Sequence, residues 1–301
     1  MVKLQSIVDF ENQKLNNDLR RRIKSIPKFS DEQLCSKRIN KLLVKKLGLE
    51  DKDYYKKFRE EIFSNLKENS YVLVRGLPFD DNNLLAAGLT VFLGIPVIQY
   101  NQKIPRFVKE IVPRTGLRYD ENFPHTDGVY WPDPNDIIAL QCVRKDQNNG
   151  GLSRIVSIDN ALETLKKKGF IDVIKRLSDR KFPFTLDSLY GKSGIHMQHI
   201  LTRHRYGGKN FDHVRFLRHE IQHCVKEFRI RLRKATIDAV LTFENEVIKL
   251  GKKMEFPVNE GEWILVDNKR ALHSRSQTSA NSKRLLKRIK FNIDRENVFQ
   301  S

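Results

Sequence analysis

Two histidine-bearing motifs in this chain have the residue types and spacing to hold a metal. One is His125-Thr126-Asp127, with His273 far downstream. In an extended strand, residues two apart point to the same face, so His125 and Asp127 would present an imidazole and a carboxylate side by side. A second imidazole from another strand would complete a set of two neutral nitrogens and one carboxylate. Such a set covers one face of an octahedron and leaves the other open, as oxygen chemistry at ferrous iron requires. The second motif is His219-Glu220-Ile221-Gln222-His223. On a helix its imidazoles would share a face and could grip zinc, with Glu220 as general base and Glu244 or Glu246 as a third ligand. That alternative is a zinc hydrolase. Three fixed letters in five recur by chance, however, and the cations Arg215, Arg218, Lys226 and Arg229 crowd the motif. An HxD alone is weak too, since a histidine near an aspartate is commonly just a hydrogen-bonded pair.

The context of His273 sharpens the choice. Arg284 and Arg288 follow it by eleven and fifteen residues. Four apart on a strand, they would face the same way with Leu286 between them. An arginine fork turned toward a metal cavity would bind a carboxylate bidentately. The competing reading is a solvated face, because Lys283, Lys287 and Lys290 give this strand cations to spare. An inward arginine without a partner is costly, and a dianionic co-substrate removes that cost.

These residues need elements to position them. Tyr55, Phe58, Ile62 and Leu66 recur at helical spacing, with Asp51 or Asp53 as N-cap. A short β-rich run, YVLVR, follows and is ended by Gly76 and Pro78. A helix is predicted over Asp81 to Leu93, stopped by Gly94 and Pro96. Strands are predicted over IIALQCV from Ile137 and over SRIVSI after Gly150–Gly151. Residues Asn160 to Arg180 and Thr236 to Leu250 read as helical, and Lys181 to Gly208 as a mixed, histidine-bearing loop. The run HVRFLR before the second motif alternates like a strand. Strands return in EWILVDN, RALHSR and RLLKRIKFNI. Strands on both sides of a helical insertion fit one α+β domain over residues 1–301. It would carry a helical extension over 1–70 and a mixed insertion, a candidate lid, over 160–250.

Composition narrows the class. The chain has 301 residues, 39% hydrophobic and 31% charged, enough to bury a core without staples. Its longest apolar stretch, Leu84 to Ile98, is too short for a bilayer, so no membrane association is expected. The first residues lack the apolar core of a signal peptide. Three widely spaced cysteines exclude a disulfide framework and suit a reducing cytoplasm. The formal charge of +19 is spread along the chain. It reads as a solvated surface or as attraction to an acidic partner, which leaves a non-enzymatic basic binding module as a third alternative. No zinc-finger, RRM or basic-region pattern supports nucleic acid.

Four blocks in order then carry a resemblance. They are VLVRGLPFDDNNLLAAGLTVFLGIPV, FPHTDGVYWPDPNDIIALQCV, NNGGLSRIVSIDNAL and NEGEWILVDNKRALHSRSQTSANSKRLLKR. Together they run from Val72 to Arg288, and the chain resembles the taurine dioxygenase (TauD/TfdA) family of iron(II)/2-oxoglutarate-dependent oxygenases.

The resemblance implies a double-stranded β-helix (jelly-roll) core with helices outside. It implies Fe(II) held by His125, Asp127 and His273, with 2-oxoglutarate and O2 as co-substrates. Arg284 would clamp the distal carboxylate of 2-oxoglutarate with help from the Ser153 hydroxyl, and Arg288 would face the substrate or share that carboxylate. Ser153 replaces the family's common threonine and keeps the hydroxyl; Leu152 and Glu262 stand where aspartate is frequent. Because Asp127 is a carboxylate, no coordination position is vacated for a halide. Hydroxylation of an unactivated carbon is expected, with desaturation and cyclisation left open. Arg288 and Arg215 point to an anionic group on the substrate, and Tyr130 and Trp131 could form an aromatic wall. An amino acid or its derivative is the first choice of substrate, and a carrier- or peptide-bound one the second. His196, His199 and His204 read as loop polarity or substrate contacts.

Overall fold

Apolar runs buried on both faces along the central and C-terminal strands build two facing sheets. The computed structural model describes residues 6–10, 13–50, 53–101, 104–113, 122–186 and 194–300. Among these, a seven-stranded sheet runs Ile7–Asp9, Tyr71–Arg75, Trp263–Asp267, Ile137–Arg144, Leu285–Asn292 and Ile95–Pro96, with Lys109–Ile111 also pairing on Leu285–Asn292. A smaller sheet has Ala271–Arg275 at its centre, flanked by Asn122–His125 and Ser153–Ser157. Taken along the chain, Asn122–His125, Ile137–Arg144, Ser153–Ser157, Trp263–Asp267, Ala271–Arg275 and Leu285–Asn292 alternate between the small and the large sheet. That alternation is a double-stranded β-helix.

Strand period sorts the side chains into layers. Leu73, Cys142, Ile155, Ile264, Val266, Ala271 and Leu286 fill the space between the sheets. Their neighbours of opposite parity, Val72, Val74, Ala139, Trp263, Leu265, Ile289 and Phe291, pack outward against the N-terminal helices. Tyr55, Phe58, Ile62 and Leu66 come from helix Asp53–Asn69, with the spacing read from sequence. Asp53 opens that helix, and Asp51 lies outside the described residues. On the far side, Val156 and Leu272 of the small sheet bury against helices Ile158–Lys167, Arg218–Glu227 and Lys234–Lys253 and against Phe182 and Phe184. The large hydrophobic groups of each layer leave water together, the main favourable term in holding the layers closed.

The structure revises several expectations. Residues 1–70 are not solely helical: Ile7–Asp9 pairs in parallel with Tyr71–Arg75 and edges the large sheet. The helix predicted over Asn160 to Arg180 is two, Ile158–Lys167 and Ile171–Asp179, parted at Gly169, whose φ of 76° lies in the left-handed region. The helix predicted from Asp81 begins at Leu84, because the Asp80 side chain accepts from the backbone N–H groups of Asn82 and Leu85 and holds a turn there. The segment Lys181 to Gly208 forms strand Lys181–Leu186 paired with Gly194–His199, then Leu201–Tyr206 paired with Lys209–Val214. The connection over 187–193 lies outside the described residues. No helix among the described residues is long and apolar enough to cross a membrane.

One buried ion cluster ties the C-terminus to the large sheet. Arg295 donates to both Asp267 oxygens, at 2.7 and 3.1 Å, and to Asp136 at 2.7 Å. Burial alone would raise the Asp136 carboxyl, but Arg295 and Lys269 outweigh it and hold its pKa below the usual aspartate range. Replacing Arg295 by Met would leave two buried carboxylates short of a partner, and we expect a loss of about 3 kcal/mol or more in urea unfolding. The Asp136 contribution is fully present above about pH 4 and is lost as pH falls through its depressed folded value. The stability of R295M should therefore fall less steeply on acidification than that of the native chain.

Candidate metal centre

The antiparallel pairing of Asn122–His125 with Ala271–Arg275 sets His125 directly opposite His273. Both imidazoles then project into the inter-sheet space, their ring centroids 4.2 Å apart. Asp127 arrives differently from the expectation of strand alternation. The strand ends at His125, and Asp127 lies in the turn beyond it. Asn268, in the turn between Trp263–Asp267 and Ala271–Arg275, clamps that turn. Its Oδ1 accepts from the Asp127 N–H at 2.7 Å, and its Nδ2 donates to the carbonyls of Asp127 and Asn135. Gly128 follows with φ 73°, a backbone state that a Cβ disfavours.

The three side chains converge. Asp127 Oδ1 is 3.7 Å from His125 Nε2 and 3.9 Å from His273 Nε2. Potential ligand atoms from all three lie within 4.8 Å of one another, the one such histidine, cysteine and carboxylate group among the described residues. His125 Nδ1 sits 2.8 Å from the Phe123 carbonyl, so Nδ1 carries the proton and Nε2 keeps its lone pair. Burial lowers the pKa of both imidazoles, that of His273 to about 3. They are neutral at physiological pH, the state in which imidazole binds metal. Burial would raise the Asp127 carboxyl, but Lys290 and Arg288, with the two imidazoles, drive its pKa well below the usual range. Two neutral nitrogens and a fixed carboxylate are a donor set that fits ferrous iron.

A cationic arc backs the carboxylate. Arg288 Nη1 donates to Asp127 Oδ2 at 2.6 Å, and Lys290 Nζ lies 3.0 Å from the same oxygen. Both share the inward parity of Leu286 on strand Leu285–Asn292. Gln99, itself buried, orients Arg288 by accepting from its Nε at 3.2 Å while donating to its backbone carbonyl. Sequence reasoning counted Lys290 among spare surface cations; its parity with Leu286 and Arg288 was the available signal. Gln99 lies far off in sequence, with nothing in its neighbourhood to mark it.

Arg284 precedes the same strand, just before an irregularity in its pairing with Ile137–Arg144. It is 7% exposed, and among the described residues no carboxylate stands within ion-pairing distance of it. Burial draws its pKa to about 10, so it stays charged at neutral pH. Gly151 makes room for it: a Cβ there would come within 2.9 Å of Arg284 Cδ, and φ is 66°. Thr278 packs against the same glycine, and its buried Oγ1 has no hydrogen-bond partner. Ser153, two residues beyond Gly151, is buried where its strand pairs with Arg275. An unpaired buried guanidinium beside an orphan hydroxyl fits the far carboxylate of a keto-diacid. Thr278 was missed in the sequence, where a threonine in a loop carries no such signal.

Other expectations take different places. Arg215 donates to the carbonyls of Val129, Trp131 and Pro132 at 3.1, 2.6 and 2.8 Å, so it pins the loop after Asp127 instead of presenting a free fork to substrate. His196 Nε2 meets the Val129 carbonyl at 2.9 Å and supports the same loop. Exposed His204 stacks on His213 instead of facing the centre. Trp131 covers the Lys290 ammonium, 4.9 Å from the ring centroid. Tyr130 bonds Glu220, and burial followed by that carboxylate pushes its hydroxyl up to about 12.

The zinc-hydrolase reading fails on geometry. Arg218–Glu227 is a helix, with His219 and His223 exposed. Glu220 turns the other way into the protein, accepting from the Thr185 backbone and hydroxyl. Glu244 is taken by Arg218 at 2.5 Å, and Glu246 by Lys168 and Lys249.

The family model described as "Taurine catabolism dioxygenase TauD, TfdA family" matches residues 41–290. A search of curated proteins finds no match. Among solved structures, asparagine oxygenase with Fe(II), hydroxyasparagine and succinate is 13% identical, with a TM-score of 0.72 over 96% of this chain and 94% of that one. The non-heme iron oxygenase OrfP with Fe and alpha-ketoglutaric acid is 16% identical, with a TM-score of 0.66 over 96% of this chain and 94% of that one. A further OrfP complex, with succinate and (3S)-hydroxy-L-Arg, scores 0.64 at 15% identity over 96% and 95%. At such identities these likenesses establish a shared fold.

The geometry makes a direct forecast for metal content. The native chain should bind one ferrous ion, as should a variant with both His219 and His223 changed to Ala. Asp127→Ala and His273→Ala should each lower affinity at least tenfold in anaerobic titration. Metal lost with His219 and His223 but kept without Asp127 would contradict the site.

Proposed function

The chain belongs to the TauD/TfdA family of iron(II)- and 2-oxoglutarate-dependent dioxygenases, and on that footing we propose that it hydroxylates an α-amino acid. His125 Nε2, Asp127 Oδ1 and His273 Nε2 are the proposed iron ligands, Arg284 with Ser153 and Thr278 the seat for the distal carboxylate of 2-oxoglutarate, and Arg288 the seat for the substrate carboxylate. The observation that carries this reading is the coincidence of the triad with a buried Arg284 that no described carboxylate answers. Iron, 2-oxoglutarate and O2 supply the chemistry: decarboxylation to succinate and CO2, with oxidation of an unactivated carbon.

The protein's part is positioning. Asn268 fixes the backbone at Asp127, and the Phe123 carbonyl fixes the His125 tautomer. Gln99 aims Arg288 at the rim of the triad. Arg215 and His196 hold the loop that carries Tyr130 and Trp131, the latter packed over the Lys290 ammonium. Asparagine oxygenase and OrfP were crystallised with hydroxylated amino acids, which supports an amino-acid substrate here. A free amino acid suits Arg288 better than a carrier- or peptide-bound one, whose α-carboxyl is consumed in the linkage. The cysteines, all unpaired, suit a reducing cytoplasm.

Fe(II) and 2-oxoglutarate added without oxygen should give a visible charge-transfer band. Arg284→Met should raise the 2-oxoglutarate concentration needed for that band roughly 30-fold, the loss of about 2 kcal/mol from a charge-assisted bond. With oxygen, succinate release should rise in the presence of some free amino acids. A chain that forms no band would refute the proposal.

A further inference from the structure

We propose that Lys290 selects an α-amino acid whose side chain carries a second carboxylate. This rests on the amino-acid reading of the site. Lys290 is 4% exposed, on the inward face of strand Leu285–Asn292, two residues beyond Arg288. Its ammonium is held between the face of Trp131, at 4.9 Å, and Asp127 Oδ2, at 3.0 Å. The same oxygen already accepts from Arg288 at 2.6 Å. One buried carboxylate therefore serves the buried Lys290 and the half-buried Arg288 on a single oxygen, while its other oxygen is turned to the imidazoles.

The imbalance grows when the site is filled. A metal dication on Oδ1 draws on the same carboxylate. The keto-diacid brings two negative charges, one end answering Arg284 and the other the metal. The α-carboxylate of a substrate answers Arg288. Lys290 is then left with a shared oxygen and an aromatic face, and its charge lacks an anion of its own. A neutral side chain such as an amide leaves that deficit. A side-chain carboxylate lying against Trp131 supplies the missing charge and can accept from the ammonium. Arg215, which the sequence offered as an anion contact, has its donors turned to three backbone carbonyls, so the second anion falls to Lys290.

The test is anaerobic calorimetry on the full chain loaded with Fe(II) and 2-oxoglutarate, titrated with L-aspartate, L-glutamate, L-asparagine and L-glutamine. At least one acid should bind tenfold or more tightly than its amide. Lys290→Met should bring that ratio close to one, and Lys290→Arg should retain most of it. Amides binding as tightly as acids, or none of the four binding while the ferrous–2-oxoglutarate band forms, overturns the proposal and leaves the dioxygenase reading standing. A missing band would instead refute the dioxygenase reading itself. Because the native chain's acid-to-amide ratio decides the matter alone, a poorly folded Lys290→Met cannot rescue the idea.

Discussion

The site depends on keeping one largely buried carboxylate, that of Asp127, charged. An isolated buried carboxylate would take up a proton and cease to be a useful anion. Asp127 escapes this because Arg288 and Lys290 both engage Oδ2 while two neutral imidazoles face Oδ1. The arrangement divides the carboxylate's work, with one oxygen stabilised by protein cations and the other free to meet a metal. It also makes the cations depend on the carboxylate, so removing Asp127 would strand the buried Lys290 and the half-buried Arg288 as well as remove a ligand.

The two-sheet scaffold is what allows so many charged groups to meet. His125 and His273 come from facing strands of the small sheet, and Arg288 and Lys290 from the large one. The alternating path of the chain places the sheets against each other, so residues 161 apart in sequence can hydrogen-bond. Apolar packing on both outer faces, from the N-terminal helices and from the central helices, holds the sheets together. The irregular segments near the site are fixed by polar groups in place of packing. Asn268 holds the turn at Asp127, and Arg215 holds the loop after it.

Much of this was legible in the sequence, for a physical reason. Strand parity survives from sequence to structure, so the inward face of Leu285–Asn292 could be read from Leu286 and Arg288 alone. Helical spacing in Asp53–Asn69 likewise named the residues that are buried. The histidine pair could be read because each lies on a short strand and the resemblance implied that both serve one metal, while their direct register emerged only from the strand pairing. What escaped was set by partners distant in the chain. Asp127 is placed by Asn268, Glu220 is turned inward by Thr185, and Thr278 and Gln99 owe their positions to residues brought in from elsewhere. Lys290 is the instructive exception, since its parity was visible but a lysine-rich strand invited the surface reading. The pairing of Ile7–Asp9 had no local mark beyond three residues of sequence.

The most direct test is anomalous diffraction at the iron edge from crystals grown anaerobically with Fe(II). A single peak should lie among His125 Nε2, Asp127 Oδ1 and His273 Nε2, with Asp127 Oδ2 still facing Arg288 or Lys290. A peak beside His219 and His223, or iron bound without Asp127, would contradict the account at its root.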